Sequence, residues 1–190
     1  MGTHKIIANN ILVFVDSDLV QLIDEKKFIW GNIKPDYVSK YKLKKHYYNE
    51  SIEMILNKIY FLSSMSVQEV VNIYGKKKFS AELGVVCHFL CDYFCLAHKS
   101  RWRFKSAMKK HVLYEKHLAS IAKEFCFNNF KDDALKVDDV EKFIGKYLAF
   151  YEKDQGSESD LIYAMFICNT IVNMLLKQVH ENNSIMRAAV

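Results

Sequence analysis

Proline and glycine are scarce in this chain, one Pro and six Gly in 190 residues. A fold of short strands and many tight turns needs both residue types at its corners, so their scarcity argues against a β-sandwich or barrel and for long helices. Cysteine is present but odd in number: Cys87, Cys91, Cys95, Cys126 and Cys168. The chain is long enough to bury a core without staples, so no disulfide framework is expected and a reducing compartment fits better. Cys87, Cys91 and Cys95 recur every four residues, which is not the spacing of a zinc knuckle, and they read as small buried hydrophobes. No apolar run is expected to reach the roughly 20 residues of a membrane span. The N-terminal MGTHKIIANN lacks the long apolar stretch and small-residue cleavage site of a signal peptide, and a cytoplasmic location is expected. There is also no internal repeat, no low-complexity tract and no glycine-rich phosphate loop.

What is present is ordinary globular material: 51% hydrophobic, 14% aromatic and a formal net charge of +5. One all-α domain, a multi-helix bundle over residues 1–190, is the expectation. Residues 4–15 read as a first helix, and Asp16-Ser17-Asp18 supplies cap chemistry for a second over 19–27. The segment 28–46, with Gly31 and the sole Pro35, reads as a loop in which proline pushes Lys34 out of helical geometry. Ile52, Ile55, Leu56, Ile59 and Tyr60 mark an amphipathic helix, followed by a short one with Ser66 as cap, Glu69 as its reciprocal partner and Gly75 as its stop. Residues 79–98 read as one very apolar central helix, 103–128 as a basic amphipathic one, 137–151 as another, and 158–182 as an apolar last helix. The basic stripe over 103–123 reads as a solvated face, with membrane interaction as the weaker alternative.

Five metal-type ligands, His88, Asp92, His98, His111 and Glu115, fall within 28 residues. A helix turns about 100° per residue, so residues four apart differ by only about 40°, and His88/Asp92 and His111/Glu115 each project from one face. Such a pair is by itself most often a hydrogen-bonded or surface pair. Here the first pair lies in the most apolar helix, where unpaired ionisable groups would cost several kcal/mol and a ligated cation would remove that cost. The set is histidine and carboxylate only, the ligand type of zinc sites that keep a position open for water. Asp36, His46 and His4 are further members, whereas His117 lies on another face of its helix and reads as solvated. Trp30 and Trp102 are expected in the core.

The series His88-x3-Asp92-x5-His98-x12-His111-x3-Glu115, preceded by Thr3-His4, by Gly31-x3-Pro35-Asp36 and by His46, resembles the zinc-dependent phospholipase C family, relatives of the fungal single-strand nucleases. The resemblance runs from residue 3 to about residue 118 and implies an all-helical bundle holding up to three zinc ions. It implies Asp36, His46 and His88 on one ion, Asp92 bridging to a second with His4, and His98, His111 and Glu115 on a third. It further implies a zinc-bound water that attacks a phospholipid phosphodiester, Asp36 as the group that orients or deprotonates it, and a substrate contact at Tyr37. Two other functions stay open: a nuclease-type phosphodiesterase acting on single-stranded nucleic acid, and a metal-stabilised helical protein without catalysis. Headgroup preference and oligomeric state stay open as well.

Overall fold

The computed structural model describes residues 2–38, 46–100 and 105–188, with side chains for 2–38, 46–100 and 109–183. Among the described residues there are helices and no strand, so the all-α expectation holds. Helix α1, Thr3–Phe14, buries Ile7, Ala8 and Ile11, one face of a 3.6-residue period. A 3-10 turn, Val20–Leu22, leads to α2, Glu25–Ile33, and a second 3-10 turn, Lys34–Asp36. Helix α3, Tyr48–Ser63, buries Ile55, Leu56, Ile59 and Leu62. A π-helical stretch, Glu69–Tyr74, stops at Gly75, whose φ of 91° is the left-handed conformation that glycine adopts without steric cost. Helix α4 is Lys76–Tyr93, α5 the single turn Leu96–Lys99, α6 Lys105–Glu124, α7 Val140–Tyr151 and α8 Ser157–Ala188.

Every residue of α4 from Leu83 to Tyr93 is buried, so this helix is enclosed on all sides. It packs against α2, α3 and α8, and α8 also touches α1, α3, α6 and α7. These two extensively buried helices therefore form the centre, as burial of apolar surface demands. Helix α8 over Ser157–Asn183 is long and apolar enough to span a membrane, with a mean hydropathy of 1.5, contrary to the expectation that no stretch would be. Its apolar surface is taken up by the protein instead, since 78% of the window is buried within the fold.

Several boundaries differ from the expected ones. The second helix starts at Glu25, not residue 19, because Asp24 and not the Asp16–Asp18 cluster provides the cap: its Oδ1 accepts the Lys27 N–H at 3.0 Å. Residues 28–33 are helix, not loop, and Lys34 keeps helical dihedrals, φ −60° and ψ −29°, despite the following proline. Pro35 is buried and the chain tightens into a 3-10 turn there, while Lys34 Nζ is held by Glu82 Oε1 at 3.0 Å. The expected single helix over 79–98 is broken at Phe94 (ψ 35°) and the extended Cys95 before α5 resumes. Helix α6 ends at Glu124, and α8 runs on to Ala188. Trp30 is 44% exposed rather than core, and Trp102, like 39–45, lies outside the described residues. The Ser66/Glu69 cap forms in both directions, with Ser66 N–H to Glu69 Oε2 at 2.7 Å and Glu69 N–H to Ser66 Oγ at 3.3 Å. Cys87, Cys91, Cys95 and Cys168 are buried free thiols, as the small-hydrophobe reading expects.

Helices α2 and α4 cross at glycine on both sides. A Cβ on Gly31 would lie 2.2 Å from the Ala81 carbonyl oxygen, and one on Gly84 would lie 2.3 Å from the Phe28 carbonyl oxygen. Backbone meets backbone here, and the close approach carries Asn32 and Asp36 onto the face of α4 that bears His88 and Asp92.

Candidate metal centre

His88 and Asp92 stand one turn apart on α4, both buried. The His88 ring is oriented from α2: its Nδ1 lies 2.9 Å from the Asn32 carbonyl, an acceptor that places the proton on Nδ1. The lone pair of Nε2 therefore faces inward, toward Asp92 Oδ2 at 3.2 Å, Asp36 Oδ1 at 3.7 Å and His46 Nδ1 at 3.2 Å. No signal in the sequence marks the Asn32 carbonyl, since any residue there would carry one.

Asp92 divides its two oxygens. Oδ2 faces His46 Nδ1 at 2.6 Å and His88 Nε2, whereas Oδ1 faces His4 Nε2 at 3.3 Å and His98 Nε2 at 3.4 Å. His4 comes from α1 and stacks on the His88 ring at 4.1 Å between centroids. On the far side, Glu115 Oε1 lies 2.8 Å from His111 Nε2, its neighbour one turn back on α6, and 3.4 Å from His98 Nε2. The eight expected residues thus fall into four overlapping groups with ligand atoms within 4.8 Å of one another: His4/His88/Asp92, Asp36/His46/His88, His46/Asp92/His98 and His98/His111/Glu115. His117 and His180 are exposed, and the described lysines of the basic helix lie on its solvent side.

These donors fit a cation. With the His88 proton committed to Asn32, its Nε2 is an acceptor aimed at two carboxylate oxygens, which repels unless something positive sits between them. His4 Nδ1 is buried with no hydrogen-bond partner, a further nitrogen not consumed within the protein. Imidazole nitrogen with carboxylate oxygen is the ligand mix that zinc takes.

The family model for zinc-dependent phospholipase C matches residues 3–182. The chain belongs to that family. No curated protein and no solved structure matches it. Membership extends well past the ligand series, through α7 and most of α8, so the helices that bear no ligand belong to the family's domain as well. Zinc is accordingly the metal on which the family depends.

The electrostatics follow from crowding ionisable groups in a buried place. Burial opposes the charge on Asp92, but His98, His88 and His4 around it outweigh that and hold its carboxyl well below the usual range. His4 and His46 are pushed up, because Asp92 overcomes the burial that would lower them. His88 goes the other way: burial, then the neighbouring His4, favour its neutral form, which is the form that ligates. Burial also opposes charge on Glu115, yet the bonds from His111 and His98 hold it at about 2.

Two cavities reach the cluster. One of about 340 Å³ exposes His4, Asp36, Tyr37, Asp92, His98 and Glu115, and continues over an apolar wall that includes Ile7, Phe94, Leu118 and Ala164. Another, of about 380 Å³, reaches His46, Asp92 and His98 past Tyr48 and Glu152. Asp36 is 51% exposed in its side chain and lines the first cavity beside Tyr37, open to solvent.

Proposed function

We propose that the chain is a zinc-dependent phosphoesterase that hydrolyses a phospholipid phosphodiester in the first cavity, with phospholipase C chemistry. The observation that carries this reading is the division of the Asp92 carboxylate, each oxygen facing two histidines. A carboxylate so surrounded suits a bridge between two cations, with Asp36, His46 and His88 on one and His4 on the other. His98, His111 and Glu115 would hold a third. Zinc at these positions would lower the pKa of a water to near neutrality and offset charge on the phosphoryl oxygens.

The remaining work belongs to this chain's side chains. Asn32 keeps the His88 proton on Nδ1, so Nε2 stays available to ligate. Asp36, half in solvent and 3.7 Å from His88 Nε2, orients the attacking water and accepts its proton as the oxygen–phosphorus bond forms. The bond from phosphorus to the leaving alcohol oxygen breaks, and that oxygen takes a proton from water, which regains it from Asp36. The apolar wall of Ile7, Phe94, Leu118 and Ala164 suits the apolar part of a lipid, and Tyr37 beside Asp36 suits a contact with the headgroup.

The test is hydrolysis by zinc-loaded protein of phosphatidylcholine vesicles, a soluble phosphodiester and single-stranded DNA in parallel, with Asp36→Asn as the variant. We expect lipid hydrolysis, and a fall of roughly 10²–10⁴-fold in Asp36→Asn assayed at saturating zinc. Faster cleavage of the DNA than of the lipid would favour a nuclease. Full zinc loading with no turnover on any of the three would favour a metal-stabilised helical protein.

A further inference from the structure

Asp160 carries no ligand role and lies outside the four donor groups, yet it is a buried carboxylate, 2% exposed, with three donors from three helices. Its Oδ2 accepts the Leu96 N–H at 3.1 Å and the Tyr114 hydroxyl at 2.8 Å. Its Oδ1 accepts the Tyr151 hydroxyl at 2.5 Å. Leu96 opens α5, the turn that carries His98. Tyr114 lies on α6, between His111 and Glu115. Tyr151 closes α7, and Asp160 itself sits in the first turn of α8, its own N–H bonded to the Gly156 carbonyl at 2.8 Å.

The break in the central helix is what makes this hub matter. Had α4 continued unbroken, His98 would lie six residues past Asp92, about 9 Å along the axis and rotated by about 240°, on a face turned away from the cluster. Instead the chain leaves helical geometry at Phe94 and Cys95 and restarts at Leu96. His98 Nε2 thereby comes within 3.4 Å of both Asp92 Oδ1 and Glu115 Oε1. A helix that restarts exposes N–H groups with no acceptor in the preceding turn, and Asp160 supplies the acceptor for Leu96. The same carboxylate oxygen takes the Tyr114 hydroxyl, so one atom is shared by the two elements that bear His98 and the His111/Glu115 pair. An apolar residue at 160 would remove the acceptor of the buried Tyr151 hydroxyl and of the half-buried Leu96 N–H.

We propose that Asp160 is a positioning residue that sets the spacing between His98 on α5 and His111/Glu115 on α6, and so sets the affinity of that site for its divalent cation. This rests on the metal reading of the cluster given above. Groups that orient metal ligands in other proteins change metal affinity by roughly 10–100-fold when removed, and a loss of that size is expected here.

The experiment measures zinc bound per chain by elemental analysis across a series of chelator-buffered free zinc concentrations, on the full chain. The variants are Asp160→Asn, Tyr114→Phe and His111→Ala, with Ser66→Ala as a variant whose lost cap is remote from the cluster. We expect Asp160→Asn to weaken one ion by roughly 10–100-fold and leave the others at wild-type affinity. Tyr114→Phe should weaken the same ion by less, His111→Ala should abolish it, and Ser66→Ala should leave every ion unchanged. Wild-type affinity for all ions in Asp160→Asn, alongside loss of one ion in His111→Ala, would overturn the role of Asp160 while leaving the cluster intact. Loss of no ion in His111→Ala would instead sink the cluster reading. Should Asp160→Asn fail to fold, Tyr114→Phe decides alone: unchanged affinity refutes the proposal, and selective weakening of that ion sustains it.

Discussion

Replacing Gly84 by alanine probes the centre without substituting any residue that faces the cluster. The added Cβ would lie 2.3 Å from the Phe28 carbonyl oxygen, 2.8 Å from Gly31 Cα and 2.9 Å from Asn32 N, where ordinary contact begins at 3.4 Å. All three opposing atoms are backbone, so no side chain can step aside and α2 must retreat by about 1 Å. Asn32 moves with α2, which stretches its 2.9 Å bond to His88 Nδ1 toward about 4 Å, past the limit of a hydrogen bond. Overpacking of this kind costs about 1–3 kcal/mol and the lost buried bond about 1 kcal/mol, together about 2–4 kcal/mol. For a chain of this length that lowers Tm by roughly 4–16 °C. Asp36 follows the same helix, and a misplacement of about 1 Å near reacting groups lowers turnover by roughly 100-fold. Thermal melts of the zinc-free protein and phosphodiester hydrolysis by the loaded protein measure the two effects. A Gly84→Ala protein that melts within about 2 °C of wild type and turns over normally would refute the claim that backbone contact at this crossing sets the His88 and Asp36 positions.

The pair of lysines on Glu82 predicts an acid-sensitive contribution. Burial opposes the charge of Glu82, but Lys58 and Lys34 hold its carboxyl at about 2, below the usual 4.5. A depressed carboxyl stabilises the fold fully above its unfolded pKa and loses that contribution as pH falls through 4.5 toward 2. Glu82→Gln should therefore cost roughly 2 kcal/mol at pH 7, with about 1 kcal/mol of the gap gone by pH 3.5. Equal gaps at the two pH values, in zinc-free melts, would contradict this. The thiols predict a labelling pattern: only Cys126 is exposed, so alkylation of the folded protein followed by mass spectrometry should modify that residue alone, and all five after unfolding. Native labelling at Cys91 or Cys168, whose sulfurs lie 3.7 Å apart in the core, would contradict the burial described here.

Much of the fold was legible because it depends on local periodicity and caps. The helical spacing of Ile55, Leu56 and Ile59 is one buried stripe, from which the expected Tyr60 turns out to solvent, and Ser66 with Glu69 is a cap that needs only four consecutive residues. The pairs His88/Asp92 and His111/Glu115 were legible for the same reason, since a helix by itself puts positions four apart on one face. The run 28–33 was misread because Gly31 and Pro35 look like loop residues, and only the facing Gly84 gives Gly31 a reason to be in a helix. The break at Phe94–Cys95 was missed because the segment is apolar on both sides of it. Asp160 gave no functional signal, since an acidic residue in the first turn of a helix is ordinary there. Trp30, an aromatic expected in the core, is 44% exposed on α2.

The sequence by itself determined the all-helical class, the donor types and their pairing on single helices, because helical periodicity and ligand chemistry are properties of neighbouring residues. Only the tertiary structure decided which donors meet. His4, Asp36, His46 and His98 come from four separate segments, and their convergence on His88 and Asp92 depends on a glycine crossing, a carbonyl from α2 and a broken central helix. The first two are contacts between residues far apart in the chain, and the third is held by one, the Leu96 N–H on Asp160, so no local pattern encodes the distances that result.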